Sequence, residues 1–220
     1  MMVYRGLLPN PFKRGCPWLP AIVALIMSLS AAAEARHVNG YRSAEFGMDE
    51  AAVLEAIEAD FAILAEDVER SVNAVQMTTS LTIMVKDLVN YSGRTEVAYL
   101  FGYRSKKLIQ VNLMWRVTSK FFGATPRLKW VARAMANRIA LWGIPRHVVK
   151  PNTKTKDGAT LLFRGQGESG IMALISLKVP GEDKASLSVS SSADEDYWLR
   201  VAFIDNIGAP DIFKIEPGQF

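Results

Sequence analysis

The sequence predicts an α+β fold of two tandem modules, each a helix packed on a three-stranded antiparallel sheet. Three observations carry that prediction. Glu96–Phe101 and Leu108–Trp115 alternate apolar residues with a period of two around a short polar loop, Gly102–Lys106, which is the pattern of a half-buried hairpin. Two stretches, one after Asp49 and one after Thr125, repeat apolar residues every three or four positions, as one face of a helix does. Each is followed by three strand-like runs joined by loops. Parallel pairing would need a crossover of about a dozen residues or more between paired strands, so antiparallel sheets are expected.

The first module is expected over 41–118. Phe46-Gly47-Met48-Asp49-Glu50 opens its helix. The Asp49 carboxylate suits an N-cap, since it can accept from free amides of the first turn. Met48 and Val53 have the spacing of a hydrophobic staple. Val53, Leu54, Ile57 and Phe61 make the apolar stripe, with Glu50, Glu55 and Glu58 toward solvent. Residues 62–73 admit two readings, with Ala65–Arg70 either a helical turn or the start of a strand. Thr78–Val85 is rich in β-branched residues and reads as a strand. In the hairpin that follows, Val97, Tyr99 and Phe101 share one face, and so do Ile109, Val111, Leu113 and Trp115.

The second module is expected over 124–206. Thr125 is placed to cap its helix and Pro126 to take the first helical position, where a missing amide costs nothing. Leu128, Val131, Met135, Ile139 and Trp142 form its apolar stripe, and Gly143 is placed to end it. After a turn-rich connector, Pro151–Gly158, the strands are Ala159–Arg164, Ile171–Val179 and Tyr197–Asp205. Ser186–Ala193 fits a fringe strand or a loop, and 207–220, with Pro210 and Pro217, an irregular tail.

Residues 1–35 read as a signal peptide. Arg5, Lys13 and Arg14 form a basic n-region, Trp18–Leu29 an apolar run, and either Ala31-Ala32-Ala33 or Ala33-Glu34-Ala35 a small-x-small cleavage pattern. The run is shorter than the roughly 20 residues a spanning helix needs, and it contains Pro20. A periplasmic or secreted protein is expected after cleavage, with no transmembrane helix in the mature chain. Cys16, the single cysteine, precedes the apolar run, whereas a lipid-attachment cysteine would follow it. The mature chain would then lack thiol chemistry.

Catalytic patterns are sparse. His37 and His147 are the two histidines, and no Gly-x-Ser-x-Gly accompanies them, so no catalytic residue and no metal site are assigned. Gly165-Gln166-Gly167-Glu168-Ser169-Gly170 has the bare dinucleotide spacing. A strand-like run follows it where that motif needs a helix, so it reads as a hairpin loop and no cofactor is expected. Asp194-Glu195-Asp196 reads as a solvated turn.

Charge is the sharpest asymmetry. Glu45 to Arg70 holds nine acids, closed by one arginine, while Arg94 to Lys156 holds fourteen Lys or Arg and one acid, Glu96. The second helix carries Arg127, Lys129, Arg133 and Arg138 with no carboxylate; these are the candidate binding residues. Such unevenness steers partners through long-range fields. Alternatively, the acidic first helix complements the basic second one within the molecule. Nucleic acid is not expected as a partner, since export and the lack of a binding motif argue against it.

Phe46-Gly47-Met48 opening a helix with Val53, then a strand ending Val97-Ala98-Tyr99-Leu100-Phe101, then a strand with Leu108, resembles exported bacterial proteins of the β-lactamase-inhibitor-protein-like fold. The small outer-membrane assembly lipoproteins belong to that group. The resemblance implies a helix layer on a curved antiparallel sheet, no cofactor and function through protein–protein contact. The chain departs from it in having Ala52 at the third helical position and no lipidatable cysteine. The expected function is an exported, non-enzymatic binding or assembly module acting on an envelope protein or an anionic envelope surface. The alternatives are an envelope hydrolase with dispersed carboxylates and a structural module of an envelope assembly.

Overall fold

Asp49 caps the first helix as its chemistry dictates, its carboxylate accepting from the Ala52 amide at 3.1 Å. In a computed structural model, the structure describes residues 39–117, 123–147, 149–150, 153–179 and 197–214. All of these fall in one unit, Arg36–Phe220. The expected signal peptide with Cys16, and likewise His37, Ser186–Ala193, Asp194–Asp196 and residues 215–220, lie outside the described residues.

The elements in chain order are a two-stranded ribbon, β1 (Gly40–Tyr41) and β2 (Ala44–Glu45), then α1 (Glu50–Phe61) and a 3-10 turn (Ala65–Asp67). Four strands follow: β3 (Glu69–Val72), β4 (Thr79–Lys86), β5 (Arg94–Phe101) and β6 (Leu108–Val117). Then come α2 (Ala124–Leu141), β7 (Thr160–Gln166), β8 (Met172–Lys178) and β9 (Tyr197–Ile204). Both readings of residues 62–73 are realised in succession, a helical turn and then a strand.

The two-module expectation is overturned. The described strands beyond the ribbon form one antiparallel sheet of seven, in the order β3-β4-β5-β6-β9-β8-β7. The join is β6 against β9, from Gln110↔Ile204 to Val117↔Tyr197. Two separate three-stranded sheets would each leave a long apolar strand as an edge, with its amides and carbonyls unpaired. Pairing β6 with β9 removes both edges at once and makes a continuous buried face.

That face is laid down in rows. Leu81, Tyr99, Val111, Phe203 and Ala173 lie in register across five strands, and Ile83, Val97, Leu113, Val201, Ile175 and Phe163 across six. All are buried, together with Val53 and Ile57 of α1 and Leu128, Val131, Met135 and Ile139 of α2. Trp115 belongs to the same core, although its Nε1, like Tyr99 OH and Thr95 Oγ1, has no hydrogen-bond partner among the described residues. One expected face residue is displaced. A register shift after Leu100 pairs Phe101 with Leu108, so Leu108 is buried and Ile109 only half-buried, as a bulge re-aims the residues beside it.

The start of α2 also differs from expectation. Gly123, in the left-handed region at φ 90°, is its N-cap and makes no side-chain cap bond. Pro126 is therefore third in the helix rather than first, still within the turn whose amides have no intrahelical acceptor. Gly143, at φ 83°, follows the C-cap Trp142 and bonds back to Ala140, which is the expected stop. Gly167–Gly170 turns between β7 and β8, with Gly167 N donating to Ile171 O at 3.0 Å.

The chain after β9 holds no helix or strand through residue 214, yet it is firmly tied down. Tyr103 N donates to Asp211 O, and Phe213 N to Gln76 O, both at 2.8 Å. The Asp211 carboxylate accepts from Arg104 N at 3.0 Å and Ser105 N at 2.8 Å. Residues 210–214 thus form a strap joining the β5–β6 hairpin to the β3–β4 loop.

Candidate functional site

The four expected binding cations do not make one strip. At ~100° per residue, Lys129 and Arg133 share one flank of the exposed side of α2. Arg127 and Arg138, eleven positions apart, lie ~140–160° around on the other flank. Lys129, Arg133 and Arg138 are exposed, and Arg127 is half-buried. The Arg127 guanidinium donates to Tyr91 O at 3.2 Å, tying the β4–β5 loop to the first turn of α2. Arg138 acts on the hydroxyl of Tyr41, which stacks on Phe203 at 5.7 Å. Burial pushes the Tyr41 pKa up, against the pull of Arg42 and Arg138.

Exposed aromatic and aliphatic groups stand among these cations. Trp130 is 48% exposed, Leu141 87% and Tyr91 86%. Trp130 falls between the two cationic flanks, so its indole is presented to solvent between Lys129 and Arg133 on one side and Arg127 on the other. The sequence held a signal for it, since Trp130 is out of step with the Leu128–Val131–Met135–Ile139 stripe. Tyr91 gave no comparable signal, because a loop residue has no periodicity.

The acids of the first helix make their bonds elsewhere. Glu50 binds Arg70 of β3 through two contacts, at 2.8 and 3.2 Å. Asp49 takes Lys107 at 3.3 Å, and Asp60 accepts from Ser43 N and Oγ at 3.0 and 2.8 Å. Among the described residues, Lys129, Arg133 and Arg138 form no ion pair. The strand order places β3, where the acidic segment ends, at one edge of the sheet, whereas basic α2 packs on β9 and β8 toward the other.

The sheet face away from the helices carries a shallow trough of about 420 Å³ over β3 to β6. Ser71, Ser80, Thr82 and Asn112 supply its polar lining, Ala98 and Leu100 its apolar floor, and Glu69 and Glu96 its charge. Ser71 and Ser80 share a hydrogen bond at 2.9 Å, and Gln110 donates to Asn112 at 2.8 Å. Glu69 lies in the row of Thr82 and Ala98, two residues off Glu96 and two strands across. Strand spacing then sets their Cα atoms ~12 Å apart. A second hollow, about 820 Å³, opens between Tyr103, Arg104 and Lys106 and the strap.

His147 is exposed, and its backbone amide donates to Arg164 O at 2.8 Å. Among the described residues, no three His, Cys, Asp or Glu side chains group as metal ligands would. No helix among them is long and apolar enough to cross a membrane. Comparison of the chain with protein-family models, with curated proteins and with solved structures found no match.

Proposed function

We propose that this chain is an exported, non-enzymatic binding module that works by contact with an anionic surface of the cell envelope. The observation that carries the reading is Trp130 exposed on α2 between cations. An amphipathic ring with basic neighbours suits a lipid headgroup region, where indoles sit at the boundary and cations meet anionic phosphates. Each Lys or Arg near such a surface contributes about 1 kcal/mol. Lys129 and Arg133, with the indole between them and Arg127, would therefore give weak, salt-sensitive attachment without a pocket. The reading agrees with what the resemblance to contact-acting exported proteins implies. A hydrolase reading draws less support, because Glu69 and Glu96 stand on strands separated by β4 rather than facing each other across a cleft.

Vesicle sedimentation tests the proposal. The protein is expected to pellet with anionic vesicles at low salt and to be released as the Debye length shrinks toward about 3 Å at 1 M salt. Neutral vesicles should leave it in solution. Lys129→Glu/Arg133→Glu should abolish pelleting and Trp130→Ala should weaken it, while both variants melt as the wild type does. Equal pelleting of wild type and the double variant, or none by either, would overturn the reading.

A further inference from the structure

The two edges of the sheet are treated differently. At β7 the preceding chain lies alongside: Leu161 N donates to Thr153 O at 2.8 Å, and Arg146 and Lys154 bridge Gly165 and Thr160. The approach is close enough that a Cβ on Gly165 would stand 2.5 Å from Pro145 O. Beyond β3, at the other edge, there is no further strand among the described residues.

The free groups of β3 can be assigned from its register. Asn73 N donates to Thr78 O at 2.8 Å, continuing the ladder in which Val72 faces Thr79 and Ser71 faces Ser80. Bonded pairs alternate in an antiparallel ladder. Glu69 and Ser71 therefore turn their amides and carbonyls to β4, and Arg70 and Val72 turn theirs outward. All four residues are exposed. The surroundings are acidic: Glu66, Asp67 and Glu69 are exposed beside this edge, and its one arginine, Arg70, is already held by Glu50. Val72 adds an apolar contact, 56% exposed.

We propose that β3 is an acceptor edge that takes an extended, lysine- or arginine-bearing segment of a partner protein as an eighth strand. Main-chain bonds to Arg70 and Val72 would supply the pairing, and alternate side chains of the added strand would lie beside Glu69 and the trough. The acidic surroundings select a basic occupant over a second copy of this chain, whose own β3 edge carries the same acids. The surface is distinct from the α2 face, so the two proposals stand or fall separately.

The probe is a short labelled peptide of alternating threonine and lysine, read by fluorescence anisotropy against the full chain. A threonine–glutamate peptide is the control. Saturable, salt-sensitive binding of the lysine peptide alone is expected. Val72→Pro removes an outward amide that makes no bond to β4 and is tolerated on an edge strand; it should weaken binding about tenfold, as loss of roughly one hydrogen bond does. Should that variant fail to fold, N-methylation of alternate peptide amides gives the same reading on wild-type protein. One alternation, which removes the donors to both Arg70 and Val72, should weaken binding at least about tenfold and the other leave it unchanged, since only every second amide of an added strand faces β3. Lys129→Glu/Arg133→Glu should bind the peptide as the wild type does. Equal binding by wild type and Val72→Pro, equal effects of both methylation patterns, or no saturable binding would overturn the proposal. So would a dimer, seen by sedimentation, that Val72→Pro dissolves.

Discussion

Replacing Asp211 by alanine should unfasten the strap while leaving the core intact. The carboxylate accepts two backbone amides, Arg104 and Ser105, at 3.0 and 2.8 Å. Gly102 beneath it leaves no spare room, since a Cβ there would stand 2.2 Å from Asp211 Oδ2. A bond to a charged group is worth about 1.5–3 kcal/mol net when well shielded. This one is only half-buried, and water replaces part of it after the substitution. A loss of about 1–2 kcal/mol is therefore expected in urea melts. The pH dependence has a definite sign. Desolvation raises the Asp211 pKa, but the Ser105 hydroxyl and the two amides together outweigh it, and the net shift is downward. A depressed carboxylate stabilises the fold above its unfolded pKa, about 3.9, and loses that contribution as pH falls through the folded value. The gap between wild type and Asp211→Ala should thus be full at neutral pH and close in acid, below about pH 3.9. Hydrogen exchange gives the local readout, with the Arg104 and Ser105 amides losing protection while those of β5 and β6 keep theirs. A gap below about 0.3 kcal/mol, or one that persists unchanged into acid, would refute the reasoning.

Two further outcomes are expected. Phe101→Ala should cost about 3–5 kcal/mol in denaturant melts, because the ring is fully buried and its removal leaves a cavity; a cost below about 1 kcal/mol would show the site collapses or the face is misassigned. The precursor should be cleaved between Ala33 and Arg36; N-terminal sequencing of protein taken from the envelope checks this, and a chain still starting at Met1 or Met2 counts against it.

Local chemistry was legible wherever one residue or one period decided the outcome. The Asp49 cap, the Gly143 stop, the buried face of β5 and that of β6 from Val111 onward follow from φ/ψ tolerance, side-chain reach and the period of two. Interruptions to a pattern were less legible. The bulge after Leu100 turns Leu108 inward, and nothing in the alternation of Leu108–Trp115 announces it. β3 has four exposed residues and hence no alternation to read. It is a strand because β4 offers it a register.

The candidate surfaces divide in the same way. That α2 is basic, and that Trp130 is out of step with its stripe, follow from the sequence alone. That Lys129 and Arg133 lie apart from Arg127 and Arg138 follows from helical geometry once the buried side is known. The strap was not legible, because Asp211 meets amides 107 and 106 residues away in the chain, and an irregular tail shows no period that foretells its backbone partners. Least legible was the joining of the sheet. Two runs of strands after two helices specify which residues face a core, yet period-two alternation is equally satisfied by two small sheets or one large one. Only the folded chain decides, because pairing β6 with β9 is favoured by the edges it eliminates, and edges are a property of the assembled sheet and not of any strand within it.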